Sequence, residues 1–159
     1  MDRTPPRPHT GRWFEELTPG LVIQHAIRRT LTETDNVLFT TMSMNPAALH
    51  LDHAYAEQET EFGKPLINSM LTLAVVVGIS VHETTHGTTV ANLGFAETVF
   101  PNPMFQGDTL RVESEVQAQR RSKSRPSQGV VTFEHRGFNQ HDQLTCRAVR
   151  NALMHCRPS

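Results

Sequence analysis

The stretch Ile67-Asn68-Ser69-Met70-Leu71-Thr72-Leu73-Ala74-Val75-Val76-Val77-Gly78-Ile79-Ser80-Val81 is apolar on nearly every side of a helical projection. A helix of that kind has no polar face to turn to water, so it must be surrounded by protein. At about 1.5 Å of rise per residue it spans roughly 22 Å, short of the ~30 Å hydrocarbon core of a bilayer. Its β-branched content would also suit a strand. Strands of this length are rare, however, and Asn68-Ser69 behind Pro65 reads as a helix start. The sequence therefore predicts a buried central helix, for which the rest of the chain must supply cover.

A chain of 159 residues is enough for one core, burying roughly 70% of the surface exposed when unfolded. Lys+Arg 15 against Asp+Glu 16 leaves the charge near zero, which argues against a general binder of nucleic acid or membrane surfaces. Any phosphate contact must come from a local cluster. Cys146 and Cys156 fall on what reads as one strand, where a disulfide between them is geometrically implausible. Reduced thiols in the cytoplasm are the simpler reading. Met1 to Pro8 lacks the apolar segment of a secretory signal. This Pro-rich arm, residues 1–10, is expected to be extended or disordered, ahead of a single domain over residues 11–159.

Trp13 to Leu17 predicts a short helical turn, ended by Thr18-Pro19-Gly20. Leu21, Ile23, His25, Ile27 and Leu31 then alternate with polar or small residues, the period of a half-buried first strand. Thr32 and Thr34 are candidate caps for a helix over Asp35 to Met42, whose acidic start suits an N-terminus. A loop from Ser43 to His50 follows. Asp52 caps a short helix at His53 to Ala56, and Gly63-Lys64-Pro65 leads into the central run. After Gly87 the period becomes alternating, with strands near Thr88 to Phe100, Leu110 to Ala118, Val130 to Phe138 and Leu144 to Met154. In the second of these, Leu110, Val112, Val116 and Ala118 are expected on one face and Arg111, Glu113, Glu115 and Gln117 on the other. Turns are expected at Gln106-Gly107-Asp108 and Asn139 to Asp142. The expected order is one strand, helices, then an antiparallel meander of four strands wrapped around the long helix, an α+β architecture. A second copy of the sheet would cover more of that helix, so a dimer is expected.

The chain at this point resembles the MaoC-like hydratases and dehydratases of the hot-dog fold, over nearly everything from Gly11 to Met154. The (R)-specific enoyl-CoA hydratase branch carries Asp-x-Asn-Pro-x-His-x-Asp before the buried helix and Pro-x-x-His-Gly-Met at its start. Laid over this chain without a gap, the first Asp falls on Asn45, the His on His50 and the last Asp on Asp52. The second motif falls on Pro65, Asn68, Ser69 and Met70. Phe100 to Leu110, with its Phe-Pro-Asn-Pro and Gly-Asp-Thr-Leu, is also similar to the family. Asn45 in place of Asp resembles the branch that handles mesaconyl-, itaconyl- or methylmalyl-type CoA esters, as do Ser122 to Pro126 and Val90 to Phe95. A physical reason is available: a buried Asp would be repelled by a substrate carboxylate in low dielectric, whereas Asn can still orient water.

The resemblance implies a hydro-lyase that reversibly hydrates a branched, carboxylated enoyl-CoA, of the itaconyl- or mesaconyl-CoA to citramalyl-CoA type. It implies His50 as general base, Asn45 as water holder, and the backbone N–H groups of Ser69 and Met70 as donors to the thioester oxygen. His50 could otherwise tie a loop to the core, and Asn45 could be an Asx-turn residue before Pro46. Asn68, Asn92 or a basic side chain are candidates for binding the substrate carboxylate. Arg120, Arg121, Lys123 and Arg125 form the dense basic run and are candidates for the CoA phosphates, or a solvated turn. His82-Glu83-Thr84-Thr85-His86 matches a zinc-protease pattern, but Gly87 and β-branched Thr88-Thr89-Val90 follow at once, which predicts a fraying helix end and no metal. A generic (R)-specific enoyl-CoA hydratase, a hot-dog thioesterase and a non-catalytic acyl-CoA-binding protein are the alternatives. No cofactor beyond the CoA of the substrate is expected. The expected assembly is a homodimer or dimer of dimers, with no nucleic acid or membrane partner.

Overall fold

The computed structural model describes residues 8–158, so the first seven residues of the predicted arm lie outside the described residues. Chain order is β1 (Val22–Gln24), β2 (Arg29–Thr30), α1 (Glu33–Met42), α2 (Ala48–Leu51), α3 (His53–Glu59) and α4 (Ser69–Thr84). Four long strands follow: β3 (Thr89–Val99), β4 (Thr109–Arg121), β5 (Gln128–Phe138) and β6 (Leu144–His155). A 3₁₀ turn at Phe14–Glu16 precedes them. The result is the hot-dog arrangement, one antiparallel sheet wrapped on one long helix.

The helix caps follow local chemistry. Thr32 accepts the Asp35 N–H while Asp35 accepts the Thr32 N–H, closing a capping box on α1. Asp52 accepts the Tyr55 N–H at 3.0 Å and starts α3. α4 begins where its Asn-Ser pair predicts, and Val76, Ile79 and Leu71 pack with Leu110, Val112 and Cys146 into one core cluster. A second cluster, Phe14, Leu17, Val116, Val131, Phe133, Ala152 and Met154, lies beyond it. Strand β5 passes close under the helix at Gly137, where an added Cβ would sit 2.5 Å from Val76 Cγ2. No helix among the described residues is long and apolar enough to cross a membrane.

Three expectations are corrected. The first strand is broken: β1 and β2 both pair with β4, but from Gln24 to Arg29 the chain takes two more residues than β4 takes from Glu113 to Leu110. The surplus loops out, leaving Ile27 exposed. The meander contains only β4, β5 and β6, because the sheet order is β1-β4-β5-β6-β3. β3 starts beside Met154, where α4 ends, and the connection after it returns past the start of α4 through an Ile67 N–H bond to Met104 O. The third correction is Ala118, which faces solvent. A bulge between Val116 and Ala118 reverses the alternation and sends Gln119 inward to donate to Leu17 O at 2.9 Å.

The described end of the arm is tied down. Gly11 N–H donates to His86 O and Arg12 N–H to Thr84 O, both at 3.0 Å, so residues 9–12 lie against the C-terminal end of α4.

Candidate active site

α1 turns Asn36 and Thr40, one turn apart, into the interior, where both are fully buried. After it, Met44 takes a positive φ of 56° and the chain reverses so that Asn45 N–H donates to Thr40 O. Asn45 Oδ1 then accepts the Ala47 N–H at 3.0 Å. Asn45 is therefore an Asx-turn residue; it lies five residues before His50 and outside the lining of the cleft that His50 borders. The turn launches the short α2, so that His50, expected at the end of a loop, stands on a helix instead.

His50 is half-buried, and its Nδ1 lies 3.0 Å from Leu66 O. A carbonyl can only accept, so the hydrogen is on Nδ1 and the Nε2 lone pair is the basic site. His50 lines a cleft of about 400 Å³ together with Phe62, Ile67, Ser69, Thr72, Asn102, Met104 and Thr145. Its lining contains no Asp, Glu, Lys or Arg. Ser69 brings the first turn of α4, with the positive end of the helix dipole, to this cleft.

Not every expected residue is placed for its expected part. The Met70 N–H is consumed by the cap, donating to Asn68 Oδ1 at 3.0 Å, which leaves Ser69 as the backbone donor at the cleft. Asn68 is buried, and its NH₂ donates to Thr40 Oγ1 at 3.3 Å, so it is occupied with positioning the helix start. Asn92 is exposed on β3 opposite Ala152, whereas the cleft reaches β6 at Thr145; at ~3.3 Å per residue the two lie roughly 23 Å apart along the sheet. The basic run sits at that same far end, with Arg120 opposite Val130. Arg121 is held by Glu15 at 2.9 Å and reaches Cys156 Sγ at 3.2 Å, while Lys123 and Arg125 are exposed on the hairpin. Within one chain, neither Asn92 nor the basic run meets His50.

The zinc-like sequence resolves differently. α4 ends at Thr84, and Nδ1 of His82 and of His86 lie 3.2 and 3.1 Å from Thr10 Oγ1. Glu83 accepts from His25 Nδ1 at 2.8 Å. Among the described residues, no group of three His, Cys, Asp or Glu side chains is placed to hold a metal ion.

Two polar clusters escaped the sequence reading. One is the Asn36–Thr40–Asn68 group beneath His50. The other continues from Glu83: His25 Nε2 meets Ser114 Oγ at 2.7 Å, and Ser114 Oγ meets His135 Nδ1 at 2.6 Å. His25 sits at an apolar position of the first-strand alternation, which was a visible signal of a buried polar partner. Burial pulls its pKa below the ordinary value, with Glu83 opposing. Burial, and then the charges of Arg150 and His25, holds His135 well below. Burial also lowers Arg150 to about 10.

Residues 15–139 match the family described as MaoC like domain. The beta-methylmalyl-CoA dehydratase of Chloroflexus aurantiacus is 32% identical over 147 residues, covering 92% of this chain and 41% of that protein. The mesaconyl-CoA hydratase of Cereibacter sphaeroides is 31% identical over 149 residues, covering 94% and 43%. The chain thus spans less than half the length of these two relatives. The crystal structure of a MaoC-like dehydratase from Rhodospirillum rubrum superposes with a TM-score of 0.81 at 28% identity, covering 94% of this chain and 100% of the other.

Proposed function

Because the chain belongs to the MaoC-like domain family, we propose that it is a hydro-lyase acting reversibly on a branched, carboxylated enoyl-CoA of the mesaconyl- or itaconyl-CoA type. One observation carries the reading. His50 is fixed with Nε2 as its basic atom, on a cleft that also receives the first turn of α4 and contains no carboxylate.

In the hydration direction, the amide of Asn45 holds a water and His50 Nε2 removes its proton as the oxygen adds to the alkene. Such a base contributes about 10²–10⁴ in rate. For a conjugated ester the electron pair moves to the thioester oxygen, where the Ser69 N–H and the helix dipole receive the charge. The imidazolium then returns the proton to the α-carbon, so the ring finishes neutral. No step calls for a metal or redox cofactor. The carboxylated substrate class is supported by Asn45, by the lack of acidic side chains in the cleft, and by the names of the two relatives.

The working assembly in this reading is a homodimer, or a dimer of dimers. The edge strand β3 exposes Val90, Leu93 and Phe95, and α4 exposes Ala74 and Gly78; a second copy would cover both. Arg120, Lys123 and Arg125, remote from the cleft of their own chain, would then serve the CoA phosphates of a neighbouring subunit. Cytoplasmic placement is in keeping with the two free cysteines.

The test is steady-state hydration of crotonyl-, mesaconyl- and itaconyl-CoA by the wild type and by His50→Ala. Preference for the carboxylated esters, lost at least about 10²-fold in the variant, is the expected result. Faster turnover of crotonyl-CoA would assign the chain to the generic enoyl-CoA hydratases. Turnover of none, by folded protein, would make it an acyl-CoA-binding protein.

A further inference from the structure

Asn36 uses every hydrogen of its amide. One N–H of Nδ2 donates to Leu66 O at 2.9 Å and the other to His50 O at 3.1 Å, while Oδ1 accepts the Asn68 N–H at 2.8 Å. A single side chain, fully buried, thus joins α2, the segment before α4, and the cap of α4. Leu66 O is the same atom that accepts from His50 Nδ1, so Asn36 and the imidazole share one acceptor. Thr40, one turn on, completes the frame. Its hydroxyl accepts from Asn68 and its carbonyl accepts the Asn45 N–H.

The chemistry of this position is narrow. Two carbonyls demand two donors and one amide N–H demands an acceptor, at a single distance from the backbone of α1. Asp offers no donor and would set carboxylate oxygens against two carbonyl oxygens. Ser and Thr have one hydroxyl hydrogen, and Gln is one methylene too long for a fully buried site.

We propose that Asn36 is a positioning residue for the reaction, setting the separation between His50 and the Ser69 N–H. The proposal rests on the reading of His50 as the base. Base and charge-stabilising donor lie on different elements; the Leu66 N–H bond to Leu49 O at 3.1 Å and the His50 Nδ1 contact with Leu66 O join α2 to the segment before α4, and Asn36 extends that tie to the cap of α4 through the Asn68 N–H. Catalysis of this type is sensitive to their spacing. A displacement near 1 Å costs on the order of 10²-fold.

The experiment compares wild type, Asn36→Asp, Asn36→Ser, His50→Ala and the Asn36→Asp/His50→Ala double variant on mesaconyl-CoA, well below each melting temperature, with folding checked by circular dichroism. The expected result is a fall in kcat of about 10²-fold for Asn36→Asp, with KM within about threefold, and no further loss when it is added to His50→Ala, because both substitutions remove one function. Asn36→Ser, smaller and able to admit water to the vacated bonds, gives the same readout should the Asp variant not fold. A folded variant within about threefold of wild-type kcat, or losses that multiply in the double variant, overturns the proposal. Full activity of His50→Ala overturns the reading of the base itself and is seen separately, since that variant leaves Asn36 intact.

Discussion

The Nδ1 atom of His50 and the carbonyl oxygen of Leu66 are 3.0 Å apart, and this contact assigns the imidazole tautomer without reference to any ligand. It also separates the structural part of His50 from its chemical part. Asparagine places an NH₂ close to where Nδ1–H lies but has no basic nitrogen. His50→Asn is expected to lose about 10² or more in kcat/KM, as His50→Ala does, while keeping more of the stability; one such hydrogen bond contributes about 1 kcal/mol. Melting temperatures and rates measured on both variants check this. An active His50→Asn would show that the ring is only a tie.

Asn45 accepts the Ala47 N–H through Oδ1, and a carboxylate can accept the same bond. Asn45→Asp is therefore expected to fold with a stability change within about 1 kcal/mol. Its effect falls on selectivity. With Asn45 holding the water beside His50 as proposed, the new charge repels a carboxylated substrate, so the ratio of mesaconyl- to crotonyl-CoA kcat/KM is expected to drop by about tenfold or more. An unchanged ratio would remove Asn45 from the account of substrate choice.

When both imidazoles are neutral, the chain Glu83, His25, Ser114, His135 has one proton order: His25 donates from Nδ1 to Glu83, its Nε2 accepts from Ser114, and Ser114 accepts from His135 Nδ1. His135 Nε2 is buried without a partner. Both folded-state pKa values lie below the ordinary 6.5, chiefly through burial. Below about pH 6.5 the unfolded chain takes up protons that the folded one refuses, so stability falls as pH drops, by at most about 1.4 kcal/mol per unit for His135. Urea unfolding at about pH 7.5 and about pH 5.5 is expected to show this loss, and His135→Leu to flatten it. A wild-type midpoint that does not move would contradict the assignment.

Strand β3 lies at one edge of the sheet and exposes Leu93 and Phe95 on its length. Lysine is a common guard against edge pairing because strand alignment would bury its charge. Leu93→Lys is expected to shift sedimentation equilibrium from dimer to monomer and to reduce activity along with it, if the hairpin residues serve a neighbouring cleft. A wild type that sediments as a monomer would refute the pairing outright.

How much of this was legible beforehand varies by the range of the interaction. The buried α4, the Thr32 and Asp52 caps and the four long strands were readable, because helix capping and hydrophobic period act within a few residues. The turn at Asn45 was readable for the same reason, and the resemblance to the MaoC-like family added its chemistry, but His50, expected at the end of that loop, stands on the short helix α2. Sheet order was not readable. Alternation says which face of a strand is apolar, but not which strand lies beside it, so β3 beside β6 was missed.

The site divides along the same line. Residue types and local spacing were enough to nominate His50, Asn45 and the start of α4. They could not show that Met70 spends its N–H on Asn68, that Glu83 turns to His25, or that Asn36 reaches both Leu66, thirty residues on, and His50. The chain alone specified which groups were available and where backbone began and ended its helices. Which donor met which acceptor was settled when α1, α2 and α4 packed together, since a buried polar group takes whatever partner three-dimensional proximity supplies.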